Sequence, residues 1–173
     1  MGLNSHLSSL SAKTAAMQNF KIWVGTLFGA GLMPFAPGTW GSFFTLPLIY
    51  VAAIVSPVYG IPLLLVLTII LSLWSTDASV EKFGDDPGQF VMDESAGQTA
   101  TFLFISFSQT SSDFLILLAG FVLFRIFDIL KPFGIKAVEK MRGKFGILAD
   151  DLLAGLYALV CLKLLIHFVP GLG

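Results

Sequence analysis

Residues 41–74 read GSFFTLPLIYVAAIVSPVYGIPLLLVLTIILSLW, two apolar runs (41–55 and 61–74) joined by Ser56-Pro57-Val58-Tyr59-Gly60. The Pro/Gly insert reads as a tight reversal, and no charged residue occurs between Ile22 and Thr76. The same pattern recurs downstream. Runs 97–107 and 114–130 flank a polar reversal at 108–113, and a last run covers 148–169. At about 1.5 Å per residue the runs reach about 17–33 Å, so several are short for a hydrocarbon core of about 30 Å. There is no β signal and no repeat. The chain is therefore predicted to be all-α, a compact integral-membrane helical bundle with about five spans. Residues 22–33 are expected as an N-terminal interfacial or half-penetrating helix. Residues 1–20, rich in Ser and Ala, read as a cytoplasmic tail, and 21–173 as a single membrane-embedded domain.

Composition supports that class. Of 173 residues, 55% are hydrophobic and only 12% charged, against roughly 25% charged in soluble domains. Phe alone contributes 17 residues, and mean hydropathy is +0.85. Disorder, a collagen-like chain and an ordinary soluble globule are excluded. Ten Lys and Arg against eleven Asp and Glu give a net charge of −1 with no basic block, which argues against a nucleic-acid partner. A signal peptide ending near residue 32 fits poorly with a chain that stays hydrophobic to its end. Cys161 has no partner for an internal disulfide, and with only His6 and His167 it makes no zinc site.

Positive charge sets an expected orientation. Lys13 and Lys21 precede the first run, while Lys131, Lys136, Lys140, Arg142 and Lys144 form the largest basic group. Both groups lie inside if an even number of crossings separates them, and the two hairpins supply four. The topology then puts the 37–42 segment, Asp93-Glu94, Arg125 to Lys131, and Asp150-Asp151 at the cytoplasmic end.

These polar residues are the candidates for chemistry. Asp93-Glu94 has Gly97 and Gln98 one turn further on, and Asp150-Asp151 has Ala154 and Gly155. The small residues would let a second backbone approach closely. Carboxylates in membrane helices cost about 2.5–3.5 kcal/mol each on insertion scales, so they need compensation. Hard oxygen ligands without His or Cys suit Mg²⁺. Each pair also reads as helix N-terminal charge favoured by the dipole. Arg125, Asp128 and Lys131 share one stripe at i, i+3, i+6. Arg125 and Lys131 suit phosphate, and Asp128 could orient Arg125 or reach a metal. The alternative is an intrahelical ion pair with Lys131 snorkelling. In Pro37-Gly38-Thr39-Trp40-Gly41-Ser42, glycines, hydroxyls and a helix N-terminus could receive an anion. It reads equally as a Pro/Gly turn. No cysteine nucleophile or placed histidine accompanies these groups.

Taken together, four blocks resemble the phosphatidylglycerophosphatase A family. They are Phe28-Gly29-Ala30-Gly31-Leu32 running into Pro37-Gly38-Thr39-Trp40-Gly41-Ser42; Asp86-Pro87 with Phe90-Val91-Met92-Asp93-Glu94 and Gly97; Phe124-Arg125-Ile126-Phe127-Asp128 with Lys131-Pro132; and Asp150-Asp151 with Ala154-Gly155. Gly134 and Ala30 depart from the pattern, standing where a proline and a serine are expected. The resemblance implies a Mg²⁺-dependent lipid phosphatase of the bacterial inner (cytoplasmic) membrane, multi-pass, with its active site facing the cytoplasm. Such an enzyme converts phosphatidylglycerophosphate to phosphatidylglycerol, with membrane lipids around it. It also implies a central helix surrounded by others. On this reading Asp93, Glu94, Asp150 and Asp151 hold the metal, with Asp128 and Asp86 as further contributors. Arg125 and Lys131, with Gly38, Thr39, Gly41 and Ser42, bind the phosphate end. Glu94 is expected as general base, and an aspartyl-phosphate intermediate stays open. The competing reading is a small cation transporter or channel, which predicts acids near the midplane reachable from both sides.

Overall fold

The computed structural model describes residues 2–85, 87–132, 134–139 and 143–169. Asp86, Lys140 and Arg142 lie outside the described residues. Those described are helical with no strand: α1 (Gly2–Gly25), a 3₁₀ turn (Ala30–Leu32), α2 (Pro37–Val55), α3 (Gly60–Phe83), α4 (Met92–Thr101), α5 (Ser112–Leu130), the short α6 (Ile135–Glu139) and α7 (Lys144–Phe168). Three of them, α2, α3 and α7, are long and apolar enough to cross a membrane. At 19 residues α5 is as long as α2, but it carries Asp113, Arg125 and Asp128.

The distribution of side chains is the reverse of a soluble bundle. Large apolar groups such as Val55, Leu63, Phe114, Phe145 and Phe168 point outward. Inside, apolar clusters around Ile49, Phe102, Phe124 and Leu162 alternate with glycines, alanines and hydroxyls. The hydroxyls of Ser42, Thr45, Thr68, Ser75, Thr76, Ser79, Ser95, Thr99 and Thr101 each donate to the carbonyl four residues earlier. Polar groups buried in this way are satisfied without water. The Thr45 and Ser95 hydroxyls also lie 2.9 Å apart, close enough for one of them to turn its proton to the other and tie α2 to α4.

The central element is α4. Nine of its ten residues are buried, and it packs against α2, α3, α5 and α7. A Cβ on Gly97 would meet the Asp151 carbonyl at 2.5 Å, and one on Gly155 would strike the Gly97 carbonyl. The backbones of α4 and α7 therefore touch, at the small residues whose spacing behind the acids suggested close approach.

Two boundaries differ from those expected. The third run was placed at 97–107, yet its helix starts at Met92 and stops at Thr101. The acids of the first turn suit a helix N-terminus. A helix encased by protein also needs no apolar face, so hydropathy hides its start. Beyond it the chain runs on without helix through residues 105–108, with Phe104 left-handed at φ 62°. Asp113 secures this segment: its carboxylate accepts the Ser108 and Gln109 amides at 3.1 and 2.8 Å and faces the Tyr50 hydroxyl at 3.3 Å. Phe102 packs with Leu162 and Gly120, and Lys163 lies 5.5 Å from the Phe104 ring centre. The chain from Met92 to Asp113 thus accompanies α7 along most of its length, part helix and part extended. The second difference lies at the N-terminus. Residues expected as a tail belong to α1, whose Ala, Lys, Met and Gln content favours helix. Its C-terminal part packs on α3, with Lys21 over the Trp74 ring.

Gly155→Val should drive α7 from α4 by placing a side chain against backbone. Overpacking of this kind costs about 1–3 kcal/mol or more, equivalent to a drop of roughly 4–10 °C. The melting midpoint in detergent checks it, with Leu164→Val, an exposed site on the same helix, expected to change little.

Candidate metal and phosphate site

Four helix termini meet at one end of the bundle. They are the N-termini of α2, α4 and α7 and the C-terminus of α5, and each brings part of the site. From α4 come Asp93 and Glu94, and from the first turns of α7 Asp150 and Asp151. Ligand oxygens of Asp93, Glu94 and Asp151 all lie within 4.8 Å of one another. That close set spans two helices, and the Gly97–Gly155 contact one turn below fixes its width. The Glu94 amide donates to Asp93 Oδ1 at 3.0 Å, turning the Asp93 carboxylate back over the start of α4.

The basic residues stand at the edge of this set. Arg125 Nη1 lies 2.8 Å from Asp128 Oδ2 and 3.5 Å from the Ser42 hydroxyl. Asp128 also neighbours the Asp151 carboxyl. Thus Asp128 does what the sequence allowed, orienting Arg125, while lying beside the acid set. Gly38 is the point where α2 meets both signs of charge: a Cβ there would collide with Glu94 Oε1 and lie 3.2 Å from Arg125 Nη1. Only a bare backbone leaves room for the carboxylate and guanidinium together. Lys131 adopts a left-handed conformation at the end of α5, φ 45°, and its ammonium donates to Asp150 Oδ2 at 2.7 Å. The pair is largely enclosed, with 21% and 9% of the two side chains exposed.

The sequence-derived residues therefore divide. Asp93, Glu94 and Asp151 form the close group, and Asp150 is turned to Lys131 beside it. Arg125, Asp128, Ser42 and Gly38 line one flank. Gly41 packs on Val91 instead, holding the strand-like approach to α4. Thr39 is half-buried in the first turn of α2, with its amide donating to the Ala36 carbonyl at 2.9 Å. Sequence reasoning had not paired Lys131 with Asp150, a contact across 19 residues with no periodic signature. Nor had it weighed Gln98, fully buried one turn after Glu94, whose amide oxygen and nitrogen find no partner among the described residues. Its position after an acid in a membrane run was the available signal.

Does this set suit a metal ion? Glu94 Oε2 and Asp150 Oδ1 are buried and have no hydrogen-bond partner among the described residues. An anionic oxygen in that condition is costly unless a cation faces it. The donors are all hard oxygens, so a hard divalent cation fits and a thiophilic one does not. A cavity of about 820 Å³ lies at the opposite end, lined by Phe104, Asp113, Lys163 and His167 among others. Size alone does not find the site.

Comparison with known proteins agrees with this geometry. The family model described as "PgpA: Phosphatidylglycerophosphatase A" matches residues 23–166. The chain belongs to the phosphatidylglycerophosphatase A family. Proteins named "Phosphatidylglycerophosphatase A" from Haemophilus influenzae and Escherichia coli are 37% and 32% identical to it. The matches cover 77% and 83% of this chain and 80% and 81% of theirs. A Bacteroides thetaiotaomicron protein named "Putative phosphatidylinositol-3-phosphatase" is 33% identical over 80% of this chain and 89% of its own. No solved structure matches. The segments that converge here are Gly38 and Ser42, Asp93-Glu94, Arg125 to Lys131, and Asp150-Asp151. At Gly134 the backbone has φ 91°, which proline cannot adopt, so this turn is specific to the glycine.

Lys131→Met strands the Asp150 carboxylate in a largely enclosed place. Loss of one partner of a buried pair costs 3–5 kcal/mol, and the exposed fraction of Lys131 reduces this to about 1–3 kcal/mol. Denaturant titration should show that loss, and Lys131→Met with Asp150→Leu should recover most of it.

Proposed function

We propose that the chain hydrolyses the terminal phosphomonoester of phosphatidylglycerophosphate to give phosphatidylglycerol, supplying that lipid to phospholipid biosynthesis. The observation that carries this reading is the placement of three adjacent carboxylates beside an Asp-oriented arginine at one end of an apolar bundle. A lipid phosphate at the membrane surface reaches that end without leaving its chains exposed to water.

Asp93, Glu94 and Asp151 are the residues that would hold Mg²⁺, with Asp150 at the margin and Asp86 a further contributor. When bound, such an ion offsets the carboxylate charge, lowers the pKa of water and spreads charge in an in-line displacement. The protein's own groups do the rest. Arg125, held by Asp128, offers its planar fork to two phosphate oxygens. Ser42, Gly38 and the first turn of α2, with Thr39 and Gly41, receive the phosphate end. Lys131 adds positive charge at the rim and holds Asp150 through their ion pair. The Glu94 oxygen not committed to the ion accepts the proton of the attacking water. Bringing these groups onto rigid helix ends supplies much of the catalysis as positioning.

The expected topology fits this assignment. α2, α3, the α4 segment with its extended continuation, α5 and α7 would make five crossings, with α1 at the interface. Lys21, Lys131, Lys136 and Lys144 would then lie on the cytoplasmic side of the bacterial inner membrane, together with the site. The competing ion-transport reading predicts acids at the midplane, whereas these acids crowd one end. Relatives bearing different headgroup names share one chemistry, removal of phosphate from a lipid phosphomonoester.

Purified protein in detergent should release phosphate from phosphatidylglycerophosphate with Mg²⁺ and not with EDTA. Asp93→Asn and Asp151→Asn should each lose on the order of 10²-fold or more in kcat while staying folded. Phosphatidylinositol 3-phosphate, run in parallel, should be the poorer substrate. Preference for it would move the headgroup assignment and leave the chemistry in place.

A further inference from the structure

Between α2 and α5 runs an apolar groove of about 310 Å³ that opens outward. Phe43, Leu46 and Tyr50 line it from α2, and Phe114, Leu118 and Phe121 from α5. Each set is spaced 3–4 residues apart, so each is one continuous helical stripe. Pro47, within α2, lines the groove too. Having no amide hydrogen and a ring in place of a longer side chain, it leaves this flank of α2 thin.

The decisive feature is where the stripes lead. One turn above Phe121 on α5 is Arg125, and one turn above Leu46 on α2 is Ser42. These are the two side chains that stand 3.5 Å apart at the edge of the acid cluster. Phe43 and Phe121 themselves meet across the gap, ring centres 6.2 Å apart, as the last apolar layer below the guanidinium. At the other end the groove meets a polar floor, Tyr50 facing Asp113 at 3.3 Å. From Ser42 to Tyr50 is about 12 Å of helix at 1.5 Å per residue. The apolar channel thus begins at the phosphate-binding groups, runs down the bundle and stops at a fixed depth.

We propose that this groove seats the headgroup-proximal half of one acyl chain of the phospholipid substrate and so aligns the headgroup at Arg125. The inference rests on the lipid-phosphatase reading and deepens it. The occupant is a chain of the bound substrate rather than an annular lipid or a second copy, because the channel is continuous with the phosphate end and no other part of it carries charge complementarity. Lipid already surrounds the protein, so seating a chain here removes little apolar surface from water. What the groove contributes is alignment.

Two measurements test it together. The first uses Leu46→Trp and Leu118→Trp, which fill the groove, on dioleoyl phosphatidylglycerophosphate and on its deacylated headgroup. The ratio of kcat/KM for the long-chain over the deacylated substrate should fall at least tenfold. An unchanged ratio in folded variants overturns the proposal. The second, on the wild-type chain, photo-crosslinks a phosphatidylglycerophosphate carrying a diazirine in one acyl chain. Label should fall on residues 43–50 and 114–121 and be displaced by dihexanoyl phosphatidylglycerophosphate. A matched diazirine phosphatidylcholine should not be displaced. Label spread around the bundle, or undisplaced, marks annular lipid and overturns the groove assignment. Displaceable label in a protein that hydrolyses neither substrate would keep the groove and sink the phosphatase reading, so the two failures are distinct.

Discussion

The contact between Gly97 of α4 and Gly155 of α7 is the constraint on which the rest depends. Backbone meets backbone there: the Gly97 carbonyl fills the space a Cβ on Gly155 would need, and the Asp151 carbonyl of α7 the space a Cβ on Gly97 would need. Without side chains between them, two helices carrying acids at their N-termini come close enough for Asp93, Glu94 and Asp151 to share a volume under 5 Å across. The same approach makes α4 the buried axis of the bundle. Everything wrapped around it can then be apolar toward lipid and small or hydroxylated toward the inside.

That arrangement concentrates charge where charge is expensive. Among the described residues, Asp93, Glu94, Asp128, Asp150 and Asp151 gather around the two cations Arg125 and Lys131, an excess of three negative charges when ionised. Two of the acids are already matched, Asp128 by Arg125 and Asp150 by Lys131. The three left over are the three that lie together. Structure therefore separates the acids into those that hold cationic side chains in place and those left to face a cation from outside. On the proposed function, a substrate phosphate entering beside Arg125 would meet a site whose own anions call for that outside charge.

Much of this was legible in the sequence. The long runs and their Pro/Gly or polar breaks marked α2, α5 and α7 within a few residues and the start of α3, whose polar last turns carry it nine residues past the apolar run to Phe83. The small residues one turn behind each acid pair pointed to close packing, and the four motif blocks pointed to one site. The central helix was the hardest to read. Met92 to Thr101 is buried by protein on all sides, so its Asp, Glu, Ser, Gln and Thr content gives no apolar period. Past its end at Thr101 the chain turns through a left-handed Phe104, and Asp113 then holds Ser108 and Gln109 from four and five residues away. The Lys131–Asp150 pair depends on a left-handed turn after α5 and on how α7 returns, both set by packing.

The central claim is that helix contact assembles Asp93, Glu94 and Asp151 into one divalent-cation site. Mn²⁺ binding to the purified protein, followed by electron paramagnetic resonance, tests it most directly and without turnover. The account predicts one class of bound Mn²⁺ displaced by Mg²⁺, and its loss in Glu94→Gln with the fold intact. Bound Mn²⁺ that persists unchanged in Glu94→Gln, Asp93→Asn and Asp151→Asn would contradict it.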